Sequence, residues 1–311
     1  MKKFIISLLV LAVFFISTSV FGQYFEDEEY DVPYVPTKYE IVEKMLKMAN
    51  VNKKDILYDL GCGDGRIVIT AAKKYGARGF GIDINPVRIE ESNENAVKEG
   101  VTDKVRFIEQ NLFESDISKA TVLTLYLLQS VNLKLRPKLF LYLKPGTRIV
   151  SHDFDMGEWE PDQSTVIGMD FGTQSSFGND TVYLWILPTN VSGNWEVKVS
   201  DKNNNNSYIL HIEQKFQKLN GNLTDKRYNI SIKSIKIEGD RLQFTTEEEI
   251  ESEKVTGLYE GKVDNNKIEG KVIVKSNSFS DKGSWEAKRD PSTIIPIDPI
   301  PDTKPEECIQ N

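Results

Sequence analysis

The run Asp59-Leu60-Gly61-Cys62-Gly63-Asp64-Gly65, with Gly81-Ile82-Asp83 after it, restricts this chain to a narrow set of folds. Ile56-Leu57-Tyr58-Asp59-Leu60 is a short apolar run of the kind buried in a parallel sheet, and the glycines after it let the backbone take positive φ and pass close to a ligand. Arg66 to Tyr75 reads as a helix capped by Asp64 and ended by Gly76, and Gly79 to Asp83 reads as the next strand. Asp83 then falls at a strand's carboxyl end, where a carboxylate can accept from both hydroxyls of a ribose. Strand, glycine loop, helix, strand and acid in this order describe a nucleotide site; a glycine turn with a capping Asp and no ligand is the alternative. A dinucleotide fold uses G-x-G-x-x-G to approach a pyrophosphate, whereas here the third glycine comes one residue early, as G-x-G-x-G.

The pattern continues as alternating helix and strand. Ile41, Val42, Met45 and Leu46 line one face of a helix introduced by a Thr37/Glu40 capping box. Asn85 and Pro86 start another helix, which Gly100 ends. Lys104 to Glu109 reads as the third strand, Thr121 to Leu127 as the fourth, Pro137 to Leu143 as a helix stopped by Lys144-Pro145-Gly146, and Arg148 to His152 as the fifth strand. Val166 to Phe171 and Thr181 to Leu187 suggest an antiparallel hairpin at the sheet edge. The expected class is α/β, a doubly wound Rossmann-like sheet of seven strands.

Beyond Pro188 no helical period survives. Short alternating runs, Trp195–Val199, Tyr208–Ile212, Ile232–Ile237, Leu242–Thr246, Gly257–Val263 and Lys267–Val274, alternate with turns, and two similar turn-and-strand units suggest repeated hairpins. This half is expected to be a small all-β domain, an up-and-down sheet or barrel similar to a lipocalin, with Trp195, Phe216, Phe244, Tyr259 and Trp285 in its core.

Met1-Lys2-Lys3, the apolar Phe4 to Phe15 and the small residues up to Gly22 have the parts of a secretory signal peptide. The boundaries expected are a signal over 1–22, an α/β domain over 23–189, the β module over 190–289 and a disordered Pro-rich tail over 290–311. The positive-inside rule then places the folded domains outside the cytoplasm, exported to the periplasm or medium, or else anchored in the membrane through residues 4–22 if the segment is not cleaved. With 39 Lys and Arg against 47 Asp and Glu, the net charge of −8 supplies no global basic field for nucleic acid. The two histidines and two cysteines, Cys62 and Cys308, are too scattered for clustered metal ligands, and a disulfide between those cysteines is not expected. Oligomeric state is not legible.

With these residues read, Asp31 to about Pro161 resembles a bacterial group of class I S-adenosylmethionine (SAM) methyltransferases. The marks are P-Y-V-P-T at Pro33–Thr37, D-L-G-x-G-D-G-R-I-V-I at Asp59–Ile69, L-Y-L-L at Leu125–Leu128, L-R-P at Leu135–Pro137 and P-G-T-R-I-V-S-H at Pro145–His152. The same combination resembles the eukaryotic protein-lysine methyltransferases that modify the ATP synthase c subunit. The resemblance implies SAM as cofactor, with Gly61, Gly63 and Gly65 lining its methionine part, Asp59 and Asp64 also among the cofactor-binding residues, Asp83 on the ribose, and Tyr34 in a leading segment over the cofactor. Asn111 stands where related sequences usually have Asp, and its side-chain oxygen is expected to accept from the adenine amino group. The acceptor implied is a protein lysine amine, with Tyr126 and Gln129 placed to hydrogen-bond it, His152 beside Asp153 as a base, and Met156 and Trp159 as pocket wall. An exported binding protein that keeps the fold without turnover, its function carried by the β module, is the competing expectation.

Overall fold

In the computed structural model, residues 34–168, 180–200, 205–225, 229–250 and 252–298 are described. The expected signal segment 1–22 and Cys308 lie outside them. Residues 34–38 belong to a separate unit and have no regular secondary structure.

From Tyr39 the chain builds α1 (Tyr39–Met48), β1 (Ile56–Leu60), α2 (Arg66–Tyr75), β2 (Arg78–Asp83), α3 (Pro86–Glu99), β3 (Val105–Glu109), β4 (Val122–Leu125), α4 (Gln129–Tyr142), β5 (Arg148–His152), β6 (Gln163–Ile167) and β7 (Asp180–Ile186). The seven strands form one sheet in the order β3-β2-β1-β4-β5-β7-β6. β1 to β5 run parallel, and β7 enters antiparallel between β5 and β6. The expected edge hairpin is present, with β7 as its inner strand, but its outer strand is Gln163–Ile167 rather than Val166 to Phe171, the last residues of which lie outside the described ones. Chain order reverses on either side of β1, and the crevice at the carboxyl ends of β1 and β4 is where such sheets take ligands.

The elements follow from their residues. β1 and β4 are almost wholly buried because they are central. α1 buries Ile41, Val42, Met45 and Leu46, the stripe its sequence spacing implies. Asn85 accepts from Val87 N with its side chain at the start of α3, Pro86 follows, and Gly100 closes the helix in a left-handed turn. α4 is longer than expected. It begins at Gln129, with Pro137 inside, so the proline did not mark the helix start; a buried face of Val131, Asn132, Leu135 and Leu139 outweighs the lost N–H.

β8 (Gly193–Ser200), β9 (Asn205–Lys215), β10 (Lys218–Thr224), β11 (Asn229–Glu238), β12 (Arg241–Ile250), β13 (Glu253–Asp264), β14 (Lys267–Lys275) and β15 (Ser280–Arg289) form a closed antiparallel barrel. Successive strands pair with one another and β15 closes on β8, an up-and-down order. β10 and β15 escaped the sequence reading because their runs, KLNGNLT and SDKGSWEAKR, are too polar to show alternation. Trp195, Phe244, Tyr259 and Trp285 fill the interior, as expected. Phe244 stacks on Tyr259 with centroids 4.3 Å apart, and Trp285 meets both edge-on. Phe216 departs from the expectation: buried at the β9–β10 turn, it packs outward on Phe140 and Trp159 of the α/β half.

The Pro-rich tail also differs from the expected disorder as far as it is described. Asp290 starts a short 3-10 turn, Pro291–Thr293. Thr293 Oγ1 accepts from Asn194 N, Ile295 N donates to Ser192 Oγ, and Asp298 pairs with Arg136. Side-chain partners on both halves tie down a segment whose composition alone supports no packing.

Candidate functional site

β1 places Asp59 opposite Gly81 on one side and Thr124 on the other. Its carboxylate is 2 % exposed and accepts from Thr124 Oγ1 at 2.7 Å. Burial, with the charges of Asp83 and Asp64 acting the same way, pushes it up to about 7. The same burial, together with those carboxylates, raises the Cys62 thiol well above its usual range. Cys62 is therefore a small thiol filling the loop rather than a nucleophile.

Gly61, Gly63 and Gly65 all take positive φ, at 78°, 52° and 78°. Gly65 also permits close packing: a Cβ there would lie 2.6 Å from the Phe107 ring and 2.9 Å from Ser92 Cβ. Asp83 holds the loop's shape. Its Oδ2 accepts from Gly63 N at 2.8 Å and its Oδ1 from Asn85 N at 3.0 Å, so one carboxylate ties the glycine loop to the start of α3. Each oxygen retains a further lone pair for a ribose hydroxyl. A loop with glycine at every second position, its Cys62 side chain buried, beside an ordered carboxylate, fits the cofactor that the glycine spacing implies.

Asp64 meets the expectation in part. The N-cap position of α2 is Gly65, in left-handed conformation, but Asp64 Oδ1 accepts from Arg66 N, the first N–H of the helix, at 3.2 Å. Asp64 also grips the Arg66 guanidinium through both oxygens, at 2.8 Å from Nε and 2.6 Å from Nη2, and that guanidinium lies over the Tyr39 ring. Asn111 likewise spends a lone pair locally: its Oδ1 accepts from Phe113 N at 2.9 Å, which shapes the turn after β3 and leaves its other lone pair for adenine.

Across the crevice, Tyr126 follows β4 and its ring lies 4.0 Å from that of His152 at the end of β5, with Phe154 at 6.3 Å. His152 is 2 % exposed. Its Nε2 is 3.2 Å from Asp180 Oδ1 and 3.4 Å from Asp153 Oδ2. Asp153 sits at φ 60°, clamped by reciprocal 2.7 Å bonds with Thr181. The fold thus brings Tyr126 and His152 together. Gln129 donates to Asp155 Oδ1 at 2.5 Å. Met156 and Trp159 are fully buried and joined by a β-bridge.

Asp180 was missed by the sequence reading, and no local pattern marks it; β7 brings it to His152 by entering the sheet next to β5. The same pairing revises the expectation of no clustered metal ligands. His152, Asp153 and Asp180 offer ligand atoms within 4.8 Å of one another, though an imidazole between two carboxylates accounts for that spacing without an ion.

The reversed strand order, the glycine-rich loop after β1 and the acid after β2 define an α/β enzyme with a nucleoside-bearing cofactor. Residues 59–163 match the family model described as the ANTKMT methyltransferase domain. A protein-lysine N-methyltransferase of Saccharolobus islandicus is 49% identical over 157 residues, covering 50% of this chain and 94% of that protein. The human lysine N-methyltransferase of the ATP synthase c subunit is 32% identical over 139 residues, 45% of this chain and 59% of that one. Among solved structures, an RNA methyltransferase from Salinibacter ruber in complex with S-adenosyl-L-homocysteine is 53% identical, covering 49% of this chain and 93% of that one, with a TM-score of 0.44. The chain belongs to this family of SAM-dependent methyltransferases, and SAM is its cofactor.

Proposed function

We propose that the chain methylates the ε-amine of a protein lysine. The observation that carries this is the 49% identity to the Saccharolobus islandicus protein-lysine N-methyltransferase across 94% of that protein's length. SAM supplies an electrophilic methyl on a cationic sulfur. The chain's own residues must then hold a neutral amine in line with that methyl, and most of the rate comes from this positioning. Tyr126 and Phe154 form an aromatic wall that favours the uncharged amine by excluding water. His152, oriented by Asp180 and Asp153, takes the proton that the product ammonium releases. Asp83 holds the ribose and Asn111 the adenine amino group. Gln129, committed to Asp155, supports the loop after β5.

The protein works outside the cytoplasm, exported or held by residues 1–22, and the barrel is a lipocalin-like module in strand order. Its interior is filled by aliphatic and aromatic side chains, which does not favour ligand carriage by the barrel as the chain's function. The test is to incubate the full chain with methyl-labelled SAM and an envelope extract, then map the label by mass spectrometry, with Asp83→Ala as control. Label on lysine, lost in the variant, is the expected result. Label confined to lipid, to small molecules or to another side chain would overturn the lysine assignment, and sequencing of the mature N-terminus decides the fate of residues 1–22.

A further inference from the structure

We infer that the barrel positions the acceptor side of the methyltransferase site, with Phe216 as the positioning residue. The segment Phe154–Glu160 leaves β5 immediately after His152 and Asp153. At its start Phe154 faces Tyr126. At its end it is gripped by the barrel: the Phe216 ring lies 6.0 Å from Trp159 and 5.9 Å from Phe140, and Gln217 Nε2 donates to Glu160 O at 2.6 Å. Arg136 bonds the middle of the segment through Met156 O at 2.8 Å, places its guanidinium over the Phe216 ring, and is fixed by Asp298 from the ordered tail.

Phe216 itself occupies a costly conformation, φ 54° in a turn where Gln214 Nε2 ties its carbonyl at 2.7 Å. Its burial against Trp159 and Phe140, rather than in the barrel core, is what that turn serves. The exposed pairs Lys215–Glu158 and Lys218–Glu160 flank the contact and add little to it. The segment that carries the acceptor wall is thus short and irregular, tied at Phe154 O by Ser151 Oγ and Asn132 Nδ2 within the α/β half and packed at its far end by a second fold. Removing the barrel contact loosens the segment from its far end while leaving the glycine loop, between β1 and α2, untouched.

The experiment compares the full-length wild type with Phe216→Ala, reading amide hydrogen exchange by mass spectrometry, SAM affinity by calorimetry, and transfer of labelled methyl to poly-L-lysine. Exchange over residues 154–160 is expected to accelerate about tenfold or more while residues 59–65 keep their protection and SAM affinity stays within about twofold. Acceptor KM rises about fivefold with a smaller change in kcat, and Phe216→Leu restores most of the loss. Unchanged exchange over 154–160 overturns the inference, as does equal loosening of the glycine loop. If Phe216→Ala does not fold, the double variant Gln217→Ala/Asp298→Asn is read by the same criteria. The kinetic arm rests on the lysine reading and the exchange arm does not: a wild type inert toward poly-L-lysine whose exchange responds as described counts against that acceptor and for the inference.

Discussion

Asp59→Asn isolates the buried carboxylate beneath the glycine loop. In the folded chain Asp59 titrates at about 7 rather than its ordinary 3.8, chiefly because burial disfavours its charged form. Below about pH 4 both the folded and the unfolded chain hold the proton, so the group costs nothing. As pH rises past 3.8 the unfolded chain ionises first, so the folded state loses stability until the folded carboxyl also ionises near 7, and the loss is then constant. The full span is worth about 4 kcal/mol, and local relaxation around a buried charge is expected to cut it to about 2 kcal/mol. Asparagine cannot ionise, keeps an acceptor for Thr124 Oγ1, and replaces the O–H of the protonated acid with an N–H. Its stability relative to wild type should therefore start near zero at about pH 4 and rise to about +2 kcal/mol at about pH 8. Urea unfolding followed by helical circular dichroism reads the correct half, because α1 to α4 all lie there. A difference that stays flat over that range, or a wild type that is the more stable form at alkaline pH, refutes the reasoning.

Three further outcomes follow from the same geometry. Gly81→Ala would place a Cβ 2.4 Å from Phe107 and 2.8 Å from Cys62 Sγ, so a loss of about 1–3 kcal/mol in urea unfolding is expected; Phe107→Leu in the same background should recover part of it, and an unshifted midpoint would contradict the close packing. Asp83→Ala strips an acceptor from Gly63 N and Asn85 N; SAM affinity should fall about tenfold or more by calorimetry, and an unchanged Kd would remove Asp83 from the cofactor site. His152→Gln should lower kcat about 10- to 100-fold with SAM affinity preserved, whereas an unchanged kcat would leave His152 a purely structural partner of Asp180.

How far the sequence could be read depended on the range of the interactions. Helix ends with local signals, Asn85-Pro86 and Gly100, fell where the residues imply, because a cap is made within a few residues. Local signals misled where packing overrode them. Pro137 suggested the start of a helix and sits inside one; the proline-rich tail suggested disorder and is ordered through Asp298. The site divides the same way. Gly61, Gly63, Gly65 and Asp83 come from one strand-loop-helix-strand unit and were legible, whereas Asp180 reaches His152 only through the β5–β7 pairing.

What the sequence by itself determined is therefore the glycine-loop half of the sheet: apolar strands alternating with amphipathic helices, a loop of glycines, and an acid at the next strand's end, each set by short-range chemistry. Tertiary structure decided the surroundings of His152. The order of β7 in the sheet, the carboxylates around His152, and the barrel's contact with Phe154–Glu160 through Phe216 and Gln217 depend on contacts between residues far apart in the chain. Such contacts leave no periodicity or motif behind them, because a side chain buried against a distant partner looks, in sequence, like any other member of its own element.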